Sequence, residues 1–152
     1  MFHPRILTPT LAALAICVPM AAVAQSNLDR FEALSEQMTA LTYQGLVEQV
    51  PALEGQLPSV EWDRPMRRAG RCALRAYERS VGEDGVTAML NELERAIATA
   101  SPSDILTGSF EAGVPAGLTA NEVQTINNDC GMVELQMQRL AESGAMQALQ
   151  GQ

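Results

Sequence analysis

Six arginines and a cysteine lie within the stretch RPMRRAGRCALRAYERS, which runs from Arg64 to Ser80. Guanidinium groups bind carboxylates and phosphates through paired hydrogen bonds, so arginines at a regular spacing suggest recognition of an anion. The arginines are Arg64, Arg67, Arg68, Arg71, Arg75 and Arg79. If this stretch is a helix, they all fall on one face about 120° wide, because successive residues are about 100° apart. We call this set the arginine stripe and treat it as a candidate binding site.

The arginine stripe lies in an acidic chain. The full sequence has a net charge of −8, and residues 25–152 alone have nine arginines, 18 acidic residues and a net charge of −9. The segment 64–79 carries +5, which leaves −14 for the rest of residues 25–152. This acidic balance argues against general binding of nucleic acid, which needs a net attraction to phosphates.

Two explanations for the neutralisation of the arginine stripe remain open. The protein's own acids can lie alongside it, since charge runs are usually solvated faces with weak ion pairs. Alternatively, the stripe binds an external anion: an acidic protein, an anionic lipid head group or a polyanionic glycan. The internal candidates are Glu83, Glu92, Glu94, Glu111, Asp129 and Glu134.

Most nucleophilic chemistry lacks its residues in this chain. The only histidine is His3, and there is no lysine. Residues 25–152 therefore exclude Ser-His-Asp, Cys-His and Ser-Lys arrangements, lysine Schiff bases and zinc sites that use histidine. We expect no cofactor and no metal site. Most methionines fall at helical core spacing, and GEDG at 82–85 lacks the alternating ligands of a calcium loop.

Carboxylate chemistry is the one catalytic class that stays open. Acidic residues are plentiful, so a small carboxylate-dependent glycan hydrolase is an alternative function. However, no sequence feature distinguishes a catalytic acid from the other carboxylates. Aromatic platforms for sugars are few, namely Trp62, Tyr43, Tyr77 and three phenylalanines. We therefore expect a protein that is not an enzyme and assign no catalytic residue.

Residues 1–24 have the pattern of a secretory signal peptide. Arg5 supplies a positive charge, an apolar run rich in alanine follows, and Ala22-Val23-Ala24 is a typical cleavage site. We expect cleavage after Ala24 and a periplasmic or secreted protein with no remaining transmembrane segment. Two alternatives are an uncleaved membrane anchor and lipidation at Cys17, although Ile16 departs from the small residue preferred before a lipidated cysteine.

The same compartment favours a disulfide. Removal of Cys17 with the leader leaves an even pair, Cys72 and Cys130, which are 58 positions apart. Exported proteins reach an oxidising environment, so we predict that the two form a disulfide. The alternative is two free, buried thiols.

Apolar residues recur at spacings of three and four and predict an all-α fold. Pro51 ends the first helix, Asp63 is a suitable N-cap for the second, and VGEDG at 81–85 breaks the chain before the third. A T-x-x-E capping box begins the last helix. The predicted helices cover about 26–50, 63–80, 86–100 and 119–140, with SPSD at 101–104 as a short turn.

An apolar seam in the last predicted helix indicates that it packs between other helices. The seam comprises Val123, Ile126, Cys130, Val133, Met137 and Leu140. The prediction is therefore a small helical bundle of about four helices with one disulfide. Its single domain covers residues 25–143, and residues 144–152 are expected to form a flexible tail.

These observations predict an exported, non-catalytic helical module of the bacterial envelope that acts by binding or assembly. Its arginine stripe is the candidate contact for an anionic partner, either an acidic protein or another anionic envelope component. Neither the identity of that partner nor the oligomeric state follows from the sequence.

Overall fold

A computed structural model describes residues 25–110 and 112–150. Over these residues the protein is all-helical and has no strand, which confirms the predicted fold class. The helices are α1 (Asn27–Gln49), α2 (Arg64–Ile97), α3 (Pro102–Leu106), α4 (Ala120–Asp129), α5 (Met132–Ser143) and α6 (Ala145–Gln150). A single 3₁₀ turn, Pro51–Leu53, follows α1. Residues 1–24 lie outside the described residues, so the signal peptide and its cleavage stay predictions.

Helices α1 and α2 begin where the sequence predicts. The Ser26 hydroxyl accepts a hydrogen bond from the Asp29 N–H at 3.2 Å. The Asp63 carboxylate accepts one from the Met66 N–H at 2.8 Å, and Pro65 lies in the first turn, where a missing N–H costs nothing. These caps fix the start of α2, and they thereby set which face the arginines occupy.

Helix α2 is sharply interrupted at Gly82, within the predicted VGEDG break. Gly82 has φ 76° and ψ 169°, a conformation that is essentially restricted to glycine. We call residues 64–81 the first arm of α2 and residues 83–97 the second arm. The arginine stripe lies on the first arm.

Both arms of α2 contact α1. The first arm runs antiparallel to α1 and the second runs parallel to it, so the chain reverses its direction at Gly82. Two pairs of contacts establish these directions. At the first arm they are the Glu32–Arg67 ion pair and the hydrogen bond from the Trp62 backbone N–H, just before the arm, to the Glu36 carboxylate; at the second arm they are the side-chain contacts Asn27–Thr87 and Arg30–Glu94.

The hydrophobic core forms mainly between α1 and the two arms. Its buried residues are Phe31, Leu34, Ala73, Leu74, Tyr77, Val86, Met89, Leu90, Leu93 and Ile97. Fully burying a leucine or methionine side chain contributes about 1.5–3 kcal/mol, so this cluster is the main source of stability. Met66 and Ala69 are also buried, and the predicted apolar face of the first arm therefore points inward.

The last predicted helix is in fact two helices. Gly131 adopts φ 78°, a left-handed conformation that ends α4 and starts α5 in a new direction. Val123, Ile126 and Cys130 pack against the core as expected, but Val133 and Met137 are 44% and 50% exposed. The prediction of one continuous apolar seam was wrong, because the turn at Gly131 rotates the second half away from the core.

The disulfide is present as predicted. Cys72 and Cys130 are bonded, and their Cα atoms are 5.6 Å apart. This bond ties the first arm of α2 to the turn between α4 and α5. The disulfide therefore anchors the edge of the arginine stripe that is turned away from α1.

Beyond α5, residues expected to be a flexible tail form helix α6. Its first residue, Ala145, is only 1% exposed. Helix α6 packs against the 3₁₀ turn, where Leu53 is also 1% exposed. The C-terminal segment thus covers the 3₁₀ turn that follows α1.

Candidate functional site

Five arginines of the stripe point outward from the first arm of α2. They are Arg64, Arg68, Arg71, Arg75 and Arg79, and all five are exposed. The opposite face of the same arm carries Met66, Ala73 and Tyr77, which are 1%, 0% and 2% exposed. We call these five residues the outer arginines. Helical periodicity alone brings them together, as the sequence predicts.

Arg67 differs from the outer arginines because the protein itself neutralises it. Its guanidinium lies 2.6 Å from Glu32 Oε2 and also forms an ion pair with Asp29. The Arg67–Glu32 contact is an ion pair without a hydrogen bond, because Glu32 Oε2 accepts no hydrogen bond of normal geometry. The Ser26 hydroxyl, and next the Arg67 guanidinium, hold the pKa of Asp29 below its usual value. Arg67 thus serves the contact between α1 and α2.

The acids that the sequence suggested as internal partners do not pair with the outer arginines. Within residues 25–110 and 112–150, no ion pair joins any outer arginine to a carboxylate. Glu94 pairs instead with Arg30, at 3.1 Å. Glu83, Glu92, Asp129 and Glu134 form no ion pair there, and Glu111 lies outside the described residues. Of the arginine stripe, only Arg67 forms an ion pair within the described residues, and its partners are two acids of α1 that the sequence did not single out.

The positive charge is most concentrated toward the start of α2. Arg64, Arg67, Arg68 and Arg71 line a shallow depression of about 350 Å³. Farther along, Arg71 and Arg75 share a crevice with Glu78 and Glu83. The carboxylates offset the charge in that second crevice. An anion in the first depression would therefore meet Arg64, Arg68 and Arg71 with no carboxylate in the lining, whereas Arg67 is already paired with Asp29 and Glu32.

At its other edge the stripe borders the disulfide. Arg68, Cys72, Asp129 and Cys130 line one crevice beside Leu135. Asp129, one of the predicted internal acids, shares this crevice but makes no ion pair with Arg68 within 4.0 Å. The Arg68 guanidinium thus keeps its donors for another group.

A cavity of about 380 Å³ on the inner side of the first arm was not predicted. It is lined mainly by residues of α1, α2, α4 and α5, together with the loop residues 112–114. Four aromatic residues meet there: Phe31, Tyr43, Trp62 and Tyr77. We call it the aromatic cavity. The sequence shows these residues scattered over nearly 50 positions, and no local pattern indicates that they converge.

The described residues contribute no carboxylate to the lining of the aromatic cavity. Likewise, no three histidine, cysteine or acidic residues of 25–110 and 112–150 are placed to hold a metal ion together. The hydrolase alternative therefore gains no support from this cavity.

Among the described helices, none combines the length and the apolar character needed to cross a bilayer. No protein-family model, no curated protein and no solved structure matches this chain. The functional argument accordingly rests on the residues themselves.

Proposed function

We propose that this protein is an exported, non-catalytic binding module of the bacterial envelope and that the outer arginines bind an anionic partner. The observation that carries the proposal is the absence of ion pairs between these five exposed arginines and the carboxylates of the described residues. A binding role accounts for both the exposure and the concentration of these charges.

Keeping these charges together has a cost. Arg64/Arg68, Arg71/Arg75 and Arg75/Arg79 are like-charge pairs at i and i+4, and each destabilises a helix by about 0.2–0.5 kcal/mol. Arg67, by contrast, contributes an ion pair between helices. An external anion would relieve the repulsion between the outer arginines. It would also use their forked donors, which match carboxylates in geometry.

The shape of the charged surface favours a narrow, extended anion. The outer arginines follow one side of a helix for about 22 Å, at 1.5 Å per residue. The rest of residues 25–152 carries −14, so a broad anionic surface such as a bilayer would also meet acidic flanks. An acidic segment of another protein fits the arginine row with the least repulsion.

The export component of the proposal rests on two sequence features. The leader of residues 1–24 has a charged start, an apolar run and a small-x-small cleavage site. The bond between Cys72 and Cys130 is a kind of cross-link that persists in oxidising compartments. Both features agree with an envelope location.

Cross-linking in the envelope of the exporting cells tests this function. The wild type is compared with the triple variant R68Q/R71Q/R75Q, and captured proteins are identified by mass spectrometry. A matched control, Q37E/Q49E/Q124E, changes the net charge by the same three units at exposed positions away from the outer arginines. We expect an acidic protein to be captured by the wild type and the control, and at least a tenfold lower recovery with the arginine variant.

Two outcomes would count against the proposal. One is equal recovery with the arginine variant, particularly if its thermal stability is lower, since the arginines would then have only an internal role. The other is that the arginine variant and the control lose the partner to the same extent. In that case only the overall charge of the protein would matter.

A further inference from the structure

The aromatic cavity collects most of the aromatic side chains of the protein. The sequence has one tryptophan, two tyrosines and three phenylalanines, and one of these phenylalanines is in the leader. Of the five aromatic residues that remain, all but Phe110 line this cavity. Tyrosine and tryptophan combine a large apolar surface with a polar group, and aromatic side chains are common in the lining of small-molecule sites.

The aromatic rings are held in a fixed arrangement. Phe31 meets Trp62 edge to face with ring centres 5.7 Å apart, and it meets Tyr77 in the same manner at 6.4 Å. The Trp62 backbone N–H donates to Glu36 Oε1 at 2.7 Å. Gly70 also lies against the indole, where a Cβ atom would overlap the ring. A site built in this way loses little side-chain entropy when a ligand enters.

Most hydroxyl groups around the aromatic cavity are already used. Thr39 donates to the Ser35 carbonyl at 2.8 Å, and Thr42 donates to the Met38 carbonyl at 2.9 Å. The Tyr77 hydroxyl donates to Asn127 Oδ1 at 2.7 Å. A sugar needs many hydrogen-bonding groups around its ring, and the hydroxyl donors that are already used leave fewer of them for a sugar.

A few polar groups of the lining remain without a partner within residues 25–110 and 112–150. These are the Ser35 hydroxyl, the Trp62 indole N–H, the Asn127 side-chain N–H groups, and the Tyr43 hydroxyl with the Gln136 amide beside it. They are enough to orient a ligand that carries one or two polar groups. Small-molecule sites are typically mostly apolar, with a few polar groups of this kind that fix orientation.

The lining also determines the charge of the ligand. No described residue that lines the cavity has a charged side chain. A charged ligand would lose its hydration there without meeting a counterion, and such a loss is costly.

Met38 and Met132 supply flexible, polarisable contacts that adapt to the shape of a ring.

We propose that the aromatic cavity binds a neutral, ring-containing apolar small molecule that carries one or two hydrogen-bonding groups. The volume of about 380 Å³ lies within the range of 300–1,000 Å³ that is usual for small-molecule sites. None of the outer arginines lines this cavity. The proposal is therefore independent of anion binding, and either one can fail without the other.

The neutral fluorescent probe N-phenyl-1-naphthylamine tests this proposal, because it has aromatic rings and a single N–H donor. Trp62 is the only tryptophan and lies in the cavity lining, so quenching of its emission reports that the probe is bound, and the variants described below locate the site. We expect saturable binding of one probe molecule per chain together with quenching of Trp62. Saturating N-acetylglucosamine trimer should not displace the probe, and displacement would show a sugar site instead.

A pair of neighbouring variants on α1 provides the control. Thr39→Phe places a ring within the cavity lining, whereas Ala40→Phe adds the same ring at an exposed position outside it. We expect at least a tenfold weaker probe affinity for Thr39→Phe and an unchanged affinity for Ala40→Phe. Circular dichroism shows whether Thr39→Phe folds. If it does not, 5-fluorotryptophan is placed at position 62 of the otherwise unchanged protein and its ¹⁹F signal is followed instead. We expect that signal to shift saturably as the probe is added.

Three outcomes overturn the proposal. The probe fails to bind saturably, or the ¹⁹F signal of position 62 does not move at saturation. Alternatively, binding survives in Thr39→Phe but is lost in V133Q/M137Q. The last result would mean that the probe adheres to the exposed apolar residues of α5 rather than to the aromatic cavity.

Discussion

Glu32 and Arg67 bring their charged atoms to 2.6 Å across the contact between α1 and α2. Arg68, the next residue, is exposed and makes no ion pair with a described residue. Helix geometry explains the difference. Relative to Arg64, Arg67 lies 60° to the side that faces α1, whereas Arg68 lies about 40° to the other side. One position along the helix thus separates an arginine that joins two helices from one that is open to solvent.

This separation predicts opposite effects for two arginine substitutions. Arg67→Gln leaves Glu32, whose side chain is 14% exposed, without its counterion. We expect it to lower the free energy of unfolding by about 1 kcal/mol, the upper end for partly exposed pairs. Arg75→Gln removes two repulsive i,i+4 contacts and should leave stability unchanged or raise it by a few tenths of a kcal/mol. Urea denaturation measures both, and equal destabilisation would contradict the assignment.

The disulfide between Cys72 and Cys130 should contribute strongly to stability. It closes a sequence separation of 58 residues, for which the chain-entropy model gives at most about 4 kcal/mol. We expect the double variant C72A/C130A to unfold at a markedly lower urea concentration than the oxidised wild type. Wild type reduced with dithiothreitol should approach the variant. If dithiothreitol does not change the urea concentration at which the wild type unfolds, that result would argue against a stabilising role for the disulfide.

The contact between Gly70 and Trp62 gives a prediction for the aromatic cavity. A Cβ atom at position 70 would overlap the indole ring, so Gly70→Ala must displace Trp62. We expect a loss of about 1–3 kcal/mol, as for overpacked cores, together with a shift in tryptophan emission. Gly55→Ala is the control: Gly55 has φ 72° and no neighbour within 4 Å. It should reduce stability through backbone strain alone and leave the emission unchanged.

Tyr77 predicts a loss of stability at alkaline pH. Its side chain is 2% exposed, and burial raises its pKa to about 12 from the ordinary value of 10. The folded protein therefore keeps the phenol proton where the unfolded chain has lost it. Stability is unaffected by this group below pH 10 and falls as the pH rises from 10 toward 12, by at most about 3 kcal/mol.

Denaturation curves at pH 8, 10, 11 and 12 measure this decline. Tyr77→Phe removes the titrating group and should flatten the curve, apart from a constant loss from the missing hydrogen bond to Asn127. Tyr43→Phe serves as the comparison, because burial also raises the pKa of Tyr43. If Tyr77→Phe declines between pH 10 and 12 as steeply as the wild type, another group is responsible.

Local features of the fold could be predicted because they depend on neighbours in sequence. Ser26, Asp63 and the pair Thr119–Glu122 cap helices with hydrogen bonds that span three residues. The outward direction of the outer arginines likewise needs only the helical period. Gly131 was a missed local signal: a glycine inside an apolar helical pattern can be the left-handed residue that ends the helix.

The sequence by itself determined the helical class, the starts of α1, α2 and α4, the bond between Cys72 and Cys130, and the face that carries the outer arginines. Each of these depends on short-range periodicity, on capping or on cysteine number. Only the tertiary structure decided which acids neutralise Arg67 and where the aromatic residues meet. Phe31, Trp62 and Tyr77 become neighbours because the first arm packs against α1 and the Trp62 ring lies against Gly70. Such contacts join segments that are distant in sequence, and no local pattern encodes them.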